Sequence, residues 1–179
     1  MPFRAHQNPC GISITVKSIK DVMGSKSMKY QYPLQKSVEV KITQPTGEYS
    51  HENFPESKYA VDFLADVDTP VLAARDGMVW KIKNDSNKWG LDKNLANEVN
   101  FVAIDHGDDT YAEYLHLGKN RVIVEEGQKV KTGDILGYTG LSGVMDKPHL
   151  HFNVFKIDNG KSVSICVDMV NKHEKRHGK

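Results

Sequence analysis

Three short segments carry the residues able to do chemistry. In Pro148-His149-Leu150-His151-Phe152, two histidines stand two residues apart among apolar neighbours. On a strand, successive side chains point to opposite faces, so His149 and His151 share one face and Leu150 and Phe152 the other. At about 3.3 Å per residue the two histidine Cα atoms lie roughly 6–7 Å apart. Both imidazoles can then share a metal ion, or one can bind it while the other moves a proton. A solvent-facing pair on an edge strand has the same spacing, so this segment does not decide alone.

The second segment is Tyr111-Ala112-Glu113-Tyr114-Leu115-His116-Leu117. Strand alternation puts His116 on the same face as Tyr114, with Leu115 and Leu117 opposite. Beside the paired histidines, His116 is a candidate proton shuttle or oxyanion donor. The third segment, Tyr59-Ala60-Val61-Asp62-Phe63, sets one carboxylate in an apolar strand. Burying it costs on the order of several kcal/mol unless it is paired or bound to a cation. The partner is either a basic side chain, Lys58 or Arg75, or a metal.

The elements that must position these residues read as short β-runs separated by turn residues. The runs are Val38–Ile42, Tyr59–Leu64, Val71–Ala74, Met78–Ile82, Val99–Ile104, Thr110–Leu117, Arg121–Val124, Ile135–Thr139, His149–Phe155 and Ser162–Val167. Between them lie Asp-Gly, His-Gly-Asp-Asp, Glu-Gly-Gln, Thr-Gly-Asp and Asp-Asn-Gly, all turn chemistry. Many short strands at close spacing predict an all-β fold. The two glycine turns around the strand after Val124 belong to barrel-sandwich hybrids, here expected as antiparallel sheets with long surface loops. A biotinyl or lipoyl carrier would need a displayed Met-Lys at a hairpin tip, and the chain has none in place.

Residues 1–33 read as an N-terminal appendage with one strand at Gly11–Val16, residues 34–169 as the β domain, and residues 170–179 as a charged tail. Only the stretch from about Val167 to Lys175 has helix-compatible composition. The polar loop from Asn84 to Asn97 is long for a compact domain. It carries Trp89, read as part of a ligand-facing wall, with packing onto its own barrel as the alternative.

Lys and Arg total 24 against 23 Asp and Glu. That balance leaves no electrostatic footprint for nucleic acid or an anionic membrane. No apolar run is long enough for membrane insertion, and the first thirty residues lack a signal-peptide pattern. Cys10 and Cys166 read as two buried thiols, with one disulfide between them left open. His106 reads as capping a hairpin corner.

Taken in order, the pieces resemble the lysostaphin-like zinc endopeptidases, which cleave peptides of bacterial cell walls. The matching text is Ser50-His51, YAVDF (59–63), TPVLAARDGMV (69–79), NEVNFVAIDHGDDTYAEYLHL (97–117), VIVEEGQKVKTGDILGYTGLSG (122–143) and PHLHFNV (148–154). The resemblance implies one zinc ion held by His51, Asp62 and His151, with His116 and His149 as catalytic, non-ligand histidines. Most members carry a ligand histidine four residues before the aspartate, and here that position is Lys58, which cannot bind zinc. His51, eleven residues before Asp62, is the replacement if its Pro-containing loop folds back. Three protein ligands and an open position are the pattern of a catalytic zinc.

The function implied is hydrolysis of a peptide bond in peptidoglycan by a metal-activated water. Tyr114 and Trp89 are the expected substrate contacts, and the 84–97 and Leu141–Lys147 loops the groove walls. That substrate implies an extracellular or periplasmic location. The rival readings are a metal-free relative that only binds cell-wall peptide or a protein partner, which Lys58 favours, and an amidase on the same scaffold.

Overall fold

The computed structural model describes residues 28–35, 41–44 and 56–170, the second of these as backbone only. In chain order the strands are β1 (Lys29–Gln31), β2 (Lys41–Gln44), β3 (Val61–Leu64), β4 (Pro70–Leu72), β5 (Gly77–Lys83), β6 (Trp89–Gly90), β7 (Phe101–Asp105) and β8 (Tyr111–Leu115). There follow β9 (Leu117–Val122), β10 (Lys129–Val130), β11 (Ile135–Thr139), β12 (Gly143–Val144), β13 (His149–Asp158), β14 (Lys161–Ser164) and β15 (Asp168–Val170). Among the described residues the one helical piece is a 3-10 turn at Lys93–Glu98, whose first turn is capped by the Asp92 carboxylate accepting from Asn94 N–H. No described helix is long and apolar enough to cross a membrane.

The large sheet runs β10-β5-β7-β8-β13-β3-β2, with β14 hairpinned onto the far end of β13. All its pairings are antiparallel. A second antiparallel sheet, β4-β11-β9, lies against it. Val71, Leu117, Val122 and Leu136 of that sheet share one hydrophobic core with Val61, Phe63, Val102, Ile104, Ala112, Leu150 and Phe152 of the large one. Two sheets closing on a common apolar interior is the expected all-β architecture. The turns follow their residues: Asn159 and Gly160 both take positive φ in the two-residue β13–β14 hairpin, as a type I′ turn requires.

Two expectations fail at the chain's ends. Residues 28–33, read as the end of an appendage, are part of the domain. Tyr30 is fully buried, packs on Phe152 at 6.2 Å and meets Thr110 Oγ1 at 3.2 Å. Gln31 N–H donates to Ala74 O, and Pro33 O accepts from Leu72 N–H. The stretch after Val167 is not helical as far as Val170, because Asp168–Val170 pairs in parallel with Lys29–Gln31. Local composition cannot register a ladder made by segments so distant in sequence. Gly11–Val16 lies outside the described residues. Cys166 is disulfide-bonded rather than a free buried thiol, and Cys10 is outside the described residues.

Candidate active site

The site grows from the register of β13. His151 lies opposite Asp62 on β3, and Leu150 opposite Phe63. Leu150, Phe152 and Val154 enter the core with Val61 and Phe63, so the alternate residues His149, His151 and Asp62 are left together on the outer face. His151 Nδ1 and Asp62 Oδ1 are 2.9 Å apart. Neither basic candidate takes up that carboxylate: Arg75 pairs with Asp108, while Lys58 is exposed with Nζ over the Tyr59 ring.

His116 arrives by a different route. On the other side of β13, Phe152 faces Tyr114 and His151 faces Leu115. Tyr114 therefore shares the core face. It is fully buried, packs at a tilt on Phe152 with ring centroids 5.2 Å apart, and its hydroxyl accepts from Ala74 N–H at 2.8 Å. The expectation that Tyr114 touches substrate beside His116 does not fit this placement. Plain alternation would send His116 into the core as well. Its φ of 66° breaks the strand between β8 and β9 and turns the ring outward. The ring centroid of His116 then lies 4.5 Å from that of His149 and 6.1 Å from that of His151.

Backbone carbonyls set the ring orientations. His116 Nδ1 is 2.8 Å from Ser142 O, and His149 Nδ1 is 2.8 Å from Lys147 O. A carbonyl oxygen only accepts, so each Nδ1 carries the proton and each neutral ring keeps its lone pair on Nε2. Asp62, His116, His149 and His151 keep only 8–9% of their surface exposed. Burial pushes the pKa of His116 down to about 3, helped by the neighbouring His149 and His151. For His151 burial also opposes the charged ring, but the hydrogen bond and charge of Asp62 outweigh it and raise the pKa.

One carboxylate oxygen and one imidazole nitrogen, 2.9 Å apart on neighbouring strands, are a donor pair suited to zinc once the ring is neutral. Among the described residues no group of three or more His, Cys, Asp or Glu side chains forms a metal site. His51, the third expected ligand, lies outside them. Asp62 and His151 thus fit as two ligands of such an ion.

The loops expected as walls pair with each other. Trp89 lies on β6, which pairs in parallel with β12, so the 84–97 and 141–147 loops are joined. Trp89 is about half exposed, and Leu91 beside it is more so. His106 does not simply cap its own turn: its Nδ1 donates to Asp76 O of another turn and its ring meets Tyr30 edge-on. Sequence reading missed Asn100 and Ser142. Both are fully buried polar residues beside His116, and nothing in their local pattern marks them.

Residues 56–165 match Peptidase family M23. This is more than half of the chain, and the chain belongs to that peptidase family. Over 93 residues it is 34% identical to the peptidoglycan DD-endopeptidase ShyA of Vibrio cholerae, covering 52% of this chain and 19% of that protein. Over 135 residues it is 31% identical to an uncharacterised metalloprotease of Haemophilus influenzae, covering 75% of this chain and 26% of that protein. A solved structure of LytU superposes with a TM-score of 0.53 at 29% identity, covering 70% of this chain and 81% of that one. The matched region thus spans only 19–26% of the length of the two curated relatives.

Proposed function

We propose that this chain is a zinc-dependent endopeptidase that hydrolyses peptide bonds in peptidoglycan cross-links. The observation that carries the reading is the convergence of Asp62, His151, His149 and His116 on one outer patch of the large sheet. Membership of a peptidase family, and similarity to a protein named for peptidoglycan cleavage, support the substrate class.

Asp62 and His151, with His51, would hold the ion, which when bound supplies Lewis-acid polarisation of the scissile carbonyl and a water acidic enough to lose its proton near neutral pH. The remaining work falls to the chain's own groups. His149 and His116 sit side by side, so one of them accepts the attacking water's proton and returns it to the leaving amine. Once protonated, an imidazolium at this place stabilises the developing oxyanion. Either histidine's removal should cost roughly 100-fold or more in rate. Trp89 and the joined loops around it supply an exposed wall for the peptide.

The test is zinc content of the purified chain beside its turnover of defined cross-linked muropeptides. About one zinc per chain and a new amine terminus at the cut support the reading, and His51→Ala should then lower the zinc content. Lys58 at the usual ligand position favours the metal-free binding module. A protein that takes up no zinc on titration yet still binds the muropeptide would establish that alternative. Cleavage between sugar and peptide would instead make it an amidase.

A further inference from the structure

Asn100 is wholly inaccessible, yet its side chain is fully employed. Its Oδ1 accepts from Ser86 N–H at 3.0 Å, and its Nδ2 donates to Ser86 O at 2.7 Å and Leu117 O at 3.1 Å. Its own N–H donates to Ser142 Oγ at 3.0 Å. Ser142, equally buried, donates from Oγ to Leu117 O at 2.8 Å, and its carbonyl is the acceptor for His116 Nδ1–H. The carbonyl of His116 accepts from Gly140 N–H at 2.9 Å, and Leu117 N–H donates to Asn100 O at 3.2 Å.

Every contact of this closed set ends on His116, on the residue after it, or on the two loops beside it. Ser86 belongs to the loop that bears Trp89, and Ser142 to the facing loop. Buried polar groups are costly unless satisfied, and the Asn100 side chain satisfies the buried backbone of Ser86 and the carbonyl of Leu117, the residue after His116. Full satisfaction makes such a network rigid. A reacting group held in a left-handed backbone conformation needs that rigidity to keep its direction.

We propose that Asn100 and Ser142 are positioning residues for His116, fixing the direction and tautomer of its ring and tying it to both loops that flank the site. The kinetic part of this proposal rests on the peptidase reading above. The structural part does not.

The first variant is Ser142→Ala, which keeps the carbonyl that His116 touches and removes only Oγ. In the full 179-residue chain loaded with zinc, kcat on a cross-linked muropeptide should fall by about tenfold, with KM within about twofold and zinc content unchanged. The slowly exchanging His116 Nδ1–H signal in proton NMR should broaden or disappear. Introduced into His116→Ala, the same change should cost nothing further in kcat, because Ser142 acts through the ring already lost. Asn100→Asp, close in shape, turns two donors into acceptors facing carbonyls and should reproduce the pattern with a larger loss. If that protein does not fold, Ser142→Ala decides. An undisturbed Nδ1–H signal in Ser142→Ala overturns the proposal, as does a full independent loss of kcat in the His116→Ala background. A wild-type chain without turnover would sink the peptidase reading alone, and the NMR comparison would still test the positioning role.

Discussion

Replacing Tyr114 by phenylalanine asks which face of β8 meets the substrate. The change deletes one oxygen and keeps the ring, so packing on Phe152 at 5.2 Å survives. The lost oxygen is the acceptor for Ala74 N–H at 2.8 Å, and Ala74 is 1% exposed. Water cannot replace it there. Burial also raises the phenol's pKa, so a neutral hydroxyl is being removed at any working pH. A buried donor left without a partner costs about 1–3 kcal/mol. For a chain of this size each kcal/mol moves the melting temperature by about 2–4 °C. Tyr114→Phe should therefore lower the midpoint of urea unfolding with an unchanged slope, while kcat and KM, read well below the melting temperature, stay within about twofold. A KM raised severalfold with stability intact would refute this and put the hydroxyl on the substrate.

Gly140→Ala should destabilise by about 1–3 kcal/mol, because the new Cβ would meet the backbone of Gly118, which cannot yield like a side-chain tip; thermal unfolding reads it, and activity should fall with the loosened His116–Gly140 contact. His149→Ala should keep its zinc, measured by elemental analysis, and lose roughly 100-fold in turnover; retained turnover in the folded variant would remove His149 from the mechanism. Asp76 accepts from the backbone and hydroxyl of Thr132 and pairs with Lys131, which holds its carboxyl well below the usual range. Its contribution is present above the unfolded carboxylate pKa of about 4 and is lost as pH falls through the lower folded value. The stability gap between wild type and Asp76→Asn should accordingly stay level above about pH 5 and close only in stronger acid.

Alternation carried much of the site into view before any coordinates. For β13 and β3 it places His149, His151 and Asp62 on one side and Leu150, Phe152, Val61 and Phe63 on the other, which is what the register shows. Turn residues marked most strand ends, and Ile135–Thr139 agrees at both ends. What stayed hidden depends on partners far along the chain. Tyr30 reads as part of a tail until Phe152, Thr110 and Ala74 are known to surround that segment. Asn100 looks like an ordinary strand-flanking polar residue, since Ser86, Leu117 and Ser142 each come from a different stretch. Trp89 was visible as an odd residue in a polar loop, but its ladder with Gly143–Val144 was not.

His116 shows where strand periodicity misleads and what overrides it. Alternation groups position 116 with position 114, and the face of Tyr114 is the core, which the His116 ring does not join. A histidine obeying the pattern would be buried against Phe152. One residue with positive φ reverses its direction, and the cost of that conformation must be met by contacts on every side. Gly140, lacking a side chain, lets the chain just past β11 come against Gly118 closely enough for its N–H to reach the His116 carbonyl. Gly143, at φ 80°, bends the following segment along Val99 next to Asn100, and its N–H reaches Lys88 O. With Ser142 between them, these two glycines bring the carbonyl that fixes the imidazole to the one place where β8 has been broken. The segment Gly140-Leu141-Ser142-Gly143 is thus as much a part of the site as the histidines, although none of its side chains faces the reacting groups as acid, base or ligand.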